Sequence, residues 1–382
     1  MSRQDQLSMH IHFPKETRAG DARVAVVPDA VKRLVKLGAS VSVETGAGEA
    51  LRVPDSEFEA AGASLTDDTA APDGRADLVV RLNKPAVADV ARLSSGSVHI
   101  SFTDPFNDAE LTRSFAEQNV SSVSMEMIPR TTLAQKMDAM SSQANLAGYA
   151  AVVLAAERLD RILPMMMTPA GTIQPARVFV MGVGVAGLQA IATARRLGAR
   201  VEAFDTRPAV EEQVRSLGAR FVRVDLGETG ETAQGYAREL TDEQLAKQRE
   251  VMAAKCAESD IVIAAAQVFG RKAPILVTSE MIRRMRPGSI VVDLSVDSGG
   301  NVEGIVADEE TIVEGVRLVG HRGFSGRVAA HASQMYAANV VNFVEHFWDR
   351  EANRLRLDLE DEIVRGCLVT HGGRIVHERF RE

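Results

Sequence analysis

The sequence predicts an α/β protein of two lobes, each a doubly wound parallel sheet, with the first lobe assembled from two separate stretches of chain. Three observations carry this expectation. The chain of 382 residues is longer than a single hydrophobic core ordinarily supports. Short apolar, β-branched runs alternate with segments of helical periodicity, the pattern of strands joined by crossover helices. Near residue 182 a glycine-patterned turn stands between one such run and one such helix. The boundaries expected are 1–139 with 328–382 for the first lobe and 140–327 for the second.

In the first lobe, residues 10–13, 41–44, 78–81, 98–102 and 122–125 read as strands. Pro28 opens a helix, where its fixed φ and missing N–H do no harm. Val31, Leu34, Val35 and Leu37 fall at the spacing of one buried face, and Gly38 ends the helix. The triplet Leu-Gly-Ala recurs at 37–39, 197–199 and 217–219, each time after an amphipathic helix and before a strand. Its glycine is placed to supply a left-handed C-cap. A helical segment at 141–159 and the stretch PMMMTPAGTIQPA at 164–176 lead into the second lobe, the three Met reading as packing residues. Strands follow at 177–181, 200–204, 220–224, 261–265, 289–294 and 316–319, the six of a dinucleotide-binding sheet. An apolar helix at 332–347 is expected to return to the first lobe.

The sharpest signal is RVFVMGVGVAGLQAIATARRLGARVEAFD at 177–205. Gly182, Gly184 and Gly187 occupy G-x-G-x-x-G after a five-residue apolar strand. The first glycine permits the tight turn, the second lets a pyrophosphate approach the backbone, and the third lets helix and strand pack closely. The helix opening at Gly184, with Val185 next in line, presents N–H groups and a partial positive charge to the phosphates. The next strand ends in Asp205, eighteen residues past Gly187, placed to accept from adenosine ribose hydroxyls and to repel a 2′-phosphate. This predicts a Rossmann domain for NAD(H), with Thr206 beside the acid. Arg207 complicates the choice, because a nearby Arg can accommodate a 2′-phosphate.

Composition bounds the rest. Hydrophobic residues make up 45% and charged residues 25%, ordinary for a globular protein, so neither a fibrous nor a disordered chain is expected. A formal charge of −8 without a basic stripe argues against a nucleic-acid partner. Cys256 and Cys367 lie far apart, without metal-ligand spacing, and read as buried thiols in a reducing compartment. The N-terminal MSRQDQLSMHIHFPKE has no apolar run of a secretory signal. The longest apolar window, 146–156, is too short for a membrane span. A cytoplasmic protein is expected, with any membrane association made through a partner chain.

In RTTLAQKMDAMSS at 130–142, Arg130, Gln135, Asp138 and Ser141 fall between the last strand of lobe one and the helix leading to lobe two. Taken alone, they fit equally a solvated loop with a helix cap or a ligand-facing segment of an interdomain cleft. PKE at 14–16, PRTTLAQKMDAMSSQANLAGY at 129–149, the stretch PMMMTPAGTIQPARVFVMGVGVAGLQAIATARRLGA and LEDE at 359–362 resemble the NAD(H)-binding component of proton-translocating nicotinamide nucleotide transhydrogenases, over essentially the full chain. The resemblance implies that Gln135 and Asp138 contact the nicotinamide end of the cofactor, with Arg130 and Ser141 supporting them. It implies that Gly235, Tyr236 and Gln248 close over the adenosine side, and that Gln267 stands at a position where the family carries Leu. It further implies direct hydride transfer to NADP+ on a separate component, membrane-embedded partners, peripheral association with the inner membrane, and a homodimer paired through a 164–176 hairpin and the helix before it. Such a step needs approach distance and orientation rather than a nucleophile or a base.

That family resembles alanine dehydrogenase, so an NAD-dependent amino-acid dehydrogenase is the alternative. It would bind a 2-oxo acid and move a proton, work for a cation and a titratable base. Arg23 and Asp297 would suit. The positions where alanine dehydrogenases carry lysine and histidine hold Asn83 in RLNKP and Asp104 in SFTDPF, with Lys84 one residue away. Near Phe324 and Gly326, HRGFSGRVA also departs from the family pattern.

Overall fold

The computed structural model describes residues 8–67, 75–225 and 241–381. In chain order its strands are β1 (His10–Phe13), β2 (Ser40–Glu44), β3 (Ser64–Thr66), β4 (Leu78–Val80), β5 (Val98–Ser101), β6 (Ser121–Ser124), β7 (Met166–Thr168), β8 (Gly171–Ile173), β9 (Arg177–Met181) and β10 (Arg200–Phe204). They continue with β11 (Arg220–Phe221), β12 (Ile261–Ala264), β13 (Ile290–Asp293), β14 (Glu310–Val313), β15 (Val316–Val319), β16 (Trp348–Asp349), β17 (Arg354–Leu355), β18 (Leu368–His371) and β19 (Arg374–Ile375). The chain divides into two units: residues 1–143 with 328–382, and residues 144–327. It passes from one to the other inside the helix Ala139–Arg158.

The first unit carries an eight-stranded sheet in the order β19-β18-β6-β5-β4-β1-β2-β3. From β3 to β6 every pairing is parallel, so the chain winds outward from β1 in one direction and from β4 in the other. The C-terminal hairpin then adds β18 antiparallel to β6, and β19 beyond it. The short edge strand β3 and this hairpin extend the sheet past the five strands expected. The helix Pro28–Lys36 buries Val31 and Leu34 as its periodicity predicts, but Val35 is 37% exposed, because the buried stripe is narrower than the apolar run.

The second unit carries a seven-stranded sheet in the order β11-β10-β9-β12-β13-β15-β14. Its six parallel members give the doubly wound order 3-2-1-4-5-6 of a Rossmann sheet, with β14 antiparallel at one edge. Strands β9, β12 and β13 are apolar on both faces because helices cover both. Val178, Val180, Ile263 and Val292 pack with the helical Ala190, Ile191 and Ala194 on one side, while Phe179, Val262 and Val291 meet Met252, Cys256 and Met281 on the other. Gly38, Gly198 and Gly218 close their helices at φ +99, +89 and +75, the left-handed caps expected of the repeated triplet. Both cysteines are buried, and burial pushes the Cys256 thiol up to about 12.

One face of the first sheet is unusually polar for an interior. Across neighbouring strands, Ser42, His12, Val79, His99, Ser122 and Thr370 lie in register, all buried. Hydroxyls engage the rings: His12 Nδ1 with Ser42 Oγ at 2.8 Å and His99 Nε2 with Ser101 Oγ at 3.0 Å. His99 also lies against the Phe115 ring, and burial pushes its imidazole down to about 3 from 6.5. Between those values the unfolded chain takes up a proton that the folded chain refuses. Stability is therefore complete above pH 6.5 and is lost as the pH falls, by up to about 1.4 kcal/mol per unit from this group. Urea unfolding between pH 7.5 and 5 should show a shallower decline for His99→Gln than for the parent protein; parallel slopes would remove His99 as the cause.

Candidate functional site

The strongest candidate site is the turn after β9. Gly182 sits at φ +91, and a Cβ there would lie 2.8 Å from the backbone of Ala265, at the end of the neighbouring β12. Gly184 is the N-cap of the helix Val185–Arg196, and a Cβ there would meet nothing within 4 Å. At Gly187 a Cβ would fall 1.9 Å from the Gly182 carbonyl oxygen. Two of the three glycines are thus demanded by the protein's own packing, while the middle one faces open space. The first intrahelical bond runs from Leu188 N to Gly184 O at 2.9 Å, which leaves the amides of Val185, Ala186 and Gly187 ahead of it. An open glycine beside those amides fits a diphosphate approaching the backbone.

Asp205 lies at the end of β10 with its side chain only 8% exposed. Its Oδ2 accepts from Val183 N at 2.7 Å and from the Arg207 guanidinium at 2.9 Å; its Oδ1 accepts from Arg207 N and Nε, both at 2.9 Å. Arg207 also donates to Val183 O at 3.1 Å. The acid and the arginine therefore hold one another and the phosphate turn, and the guanidinium is not presented as an isolated cation. Thr206 is half-buried between them. Gln267, past the end of β12, is exposed and donates to Leu294 O at 3.3 Å. Gln248, on the helix Asp242–Glu258, is buried with its Oε1 unpartnered. Gly235 and Tyr236 lie outside the described residues.

Arg130, Gln135, Asp138 and Ser141 all belong to the first unit. Arg130 and Gln135 are exposed, and Gln135 begins the short turn Gln135–Met137. Asp138 is buried and caps the helix Ala139–Arg158, its Oδ1 accepting from Ser141 N at 2.8 Å and its Oδ2 from Ser141 Oγ at 2.5 Å. Behind the loop, Asn339 and Asn342 of the helix Ala329–His346 both donate to Lys136 O, at 3.0 and 2.9 Å. Neither asparagine stands out in the sequence, since the helix that carries them reads only as apolar.

The groups an amino-acid dehydrogenase would need are committed elsewhere. Arg23 donates Nε and NH2 to Asp21 at 2.9 and 2.7 Å and NH1 to Gln143 at 3.0 Å. Asn83 donates to Glu16 at 3.2 Å and to Asp21 at 3.4 Å. Lys84 is paired with Asp108 at 2.7 Å and Asp104 at 3.5 Å. Asp104 holds φ +54, and its N–H donates to half-buried Glu126 at 2.5 Å. Burial pushes the Glu16 and Glu126 carboxyls above the usual carboxylate range. Asp297, in the second unit, sits in a 3-10 turn and is ion-paired to Arg322 at 3.5 Å.

The chain matches the alanine dehydrogenase/PNT N-terminal domain over residues 12–147 and the C-terminal domain of the same family over 151–378. It is 44% identical to an NAD(P) transhydrogenase alpha-subunit chain of Rhodospirillum rubrum over 376 residues, covering 97% of this chain and 98% of that one. It is 29% identical to an alanine dehydrogenase of Halomonas elongata, covering 98% of this chain and 96% of that protein. The crystal structure of a transhydrogenase from Sinorhizobium meliloti superposes with a TM-score of 0.84 at 44% identity, over 97% of this chain and 99% of the other.

The three glycines should separate binding from folding. Gly184→Ala adds a methyl group where the phosphates would approach, so it should leave thermal stability near that of the parent while weakening NADH binding by about tenfold or more. Gly187→Ala should destabilise the fold itself. Unimpaired NADH binding by Gly184→Ala in calorimetry would contradict the assignment of this turn to the phosphates.

Proposed function

We propose, from the premise that this chain belongs to the alanine dehydrogenase/PNT family, that it is the NAD(H)-binding component of a proton-translocating nicotinamide nucleotide transhydrogenase. The observation that carries this choice over an amino-acid dehydrogenase is the state of the first unit's polar cluster. Asn83 and Asp104 stand where a lysine and a histidine would act, while Arg23 and Lys84 are held by Asp21, Gln143, Asp104 and Asp108. A cluster so engaged offers neither a base nor a receptive cation to a 2-oxo acid.

The dinucleotides supply the chemistry: a hydride leaves NADH bound on this chain and is taken up by NADP+ on a separate component. The residues of this chain bind, orient and exclude water. The amides after Gly184 take the diphosphate. Asp205 faces the adenosine ribose, with Arg207 neutralised beside it, which supports NAD(H) over NADP(H). Gln248, Gln267 and Gly235 serve the adenosine side. Gln135 and Asp138 orient the nicotinamide, with Arg130 and Ser141 in support.

Among the described residues no helix is long and apolar enough to cross a membrane, so the spanning parts are assigned to partner chains and this component to the cytoplasmic face of the inner membrane. The hairpin β7–β8 leaves Met165, Met166, Met167 and Ile173 exposed, Met167 at 79%, and is assigned to pairing two subunits.

Mixing the chain with an NADP(H)-binding transhydrogenase component should give exchange between NADH and an NADP+ analogue, while pyruvate, ammonium and NADH should give none. Robust turnover of pyruvate would establish the dehydrogenase instead. Gln135→Asn should slow exchange by roughly tenfold while NADH affinity changes by less than about twofold. Equal losses in both would contradict an orienting role.

A further inference from the structure

We propose that Asn339 and Asn342 are positioning residues for hydride transfer, acting as a clamp on the loop that carries Gln135 and Asp138; this rests on the transhydrogenase function proposed above. The two asparagines stand three residues apart on one face of the helix Ala329–His346 and converge on a single acceptor, Lys136 O, at 3.0 and 2.9 Å. Lys136 is the central residue of the turn Gln135–Met137, between the two residues assigned to the nicotinamide.

Neither amide can turn over without loss, because each has its oxygen engaged. Asn339 Oδ1 accepts from Ser142 Oγ at 2.7 Å, and Asn342 Oδ1 accepts from the Arg33 guanidinium at 2.8 Å. Arg33 is in turn fixed by Glu345, at 3.0 and 2.7 Å. A flipped amide would aim an oxygen at the Lys136 carbonyl. The helix beneath is itself rigidly seated, with Tyr336 and Phe343 fully buried.

An isolated 3-10 turn is too weak to hold its shape, and Gln135 projects from this one exposed. Its backbone is fastened on both sides, by Lys136 O to the clamp and by the Asp138 cap to Ser141. A misplacement of about 1 Å at a reacting centre can cost about a hundredfold in rate, whereas binding through the phosphate turn, which the clamp does not touch, would scarcely register it. Loss of the clamp should therefore be visible in transfer and not in affinity.

Asn342→Asp isolates the contact, since it keeps the acceptor for Arg33 and removes the donor to Lys136 O. That variant, and its combination with Asn339→Ala, should be compared with the parent in single-turnover exchange with the NADP(H)-binding component, in NADH calorimetry, and in amide hydrogen exchange across residues 130–142. The single variant should slow transfer by about fivefold and the double by about thirtyfold, with NADH affinity within about threefold and faster amide exchange confined to the loop. Unchanged transfer with unchanged loop protection would overturn the clamp. So would parallel losses of transfer, affinity and thermal stability. Should the parent itself fail to bind NADH or to exchange hydride, the transhydrogenase function falls, and loop protection alone decides whether the asparagines hold the loop.

Discussion

The second unit depends on one close approach, the Cα of Gly187 beneath the carbonyl oxygen of Gly182. Only because no side chain intervenes can the helix Val185–Arg196 be drawn onto the end of β9, bringing Ala190, Ile191 and Ala194 against Val178 and Val180. On the other side, Gly182 presses against Ala265 at the end of β12, so the turn is wedged between two strands that wind in opposite directions. The remaining open face is that of Gly184. The orientation of the helix's leading amides is thus a packing result before it is a binding feature, and the helix dipole is aimed by the same contact.

How much of this is legible in the sequence depends on whether the signal is local. The parallel core strands, the left-handed caps and the glycine turn each leave their mark within a few residues, and each is readable. The hairpin β18–β19 is equally local: Gly372 and Gly373 at φ +57 and +73 form the tight turn that two such glycines between LVTH and RI announce. A strand pattern that stops at the returning helix omits it. Strand β3 is three residues long and has no fully buried residue, so it carries almost no periodicity to detect. The asparagine clamp is different in kind. Asn339 and Asn342 meet a loop some two hundred positions earlier in the chain, and nothing in their own neighbourhood marks them. Asp205 lies between these cases, since its position is evident from spacing but its commitment to Val183 and Arg207 is not.

The acids at the strand exits of both sheets share one use. Glu16, beyond β1, accepts from the amides of Leu82 and Asn83, beyond the neighbouring β4. Glu126, beyond β6, accepts from Asp104 N, beyond β5. Asp205, at the end of β10, accepts from Val183 N, beyond β9. Asp293, at the end of β13, accepts from Ser295, Asn301 and Val302 in its own loop, and Asn301 then bonds both the N–H and the C=O of Ala266, beyond β12. In each case a carboxylate satisfies amides that a sharp exit from the sheet would strand; Glu16, Glu126 and Asp205 also join the exits of adjacent strands, and Asp293 does so through Asn301.

The consequence differs between the two sheets. In doubly wound folds the crevice for ligands opens where the winding reverses. In the first unit that point, between β1 and β4, is bridged by Glu16 and Asn83, with Asp21 and Arg23 behind them. In the second, between β9 and β12, Gly182 backs directly onto the Ala265 backbone and Gly184 faces open space, while Asp205 and Asn301 hold the flanking Val183 and Ala266 amides. Side chains bridge the first reversal directly; at the second they fasten the loops on either side of an open glycine. Acids that fasten loops fit the function proposed above, in which this chain's task is to hold a dinucleotide in place and the hydride passes between two rings.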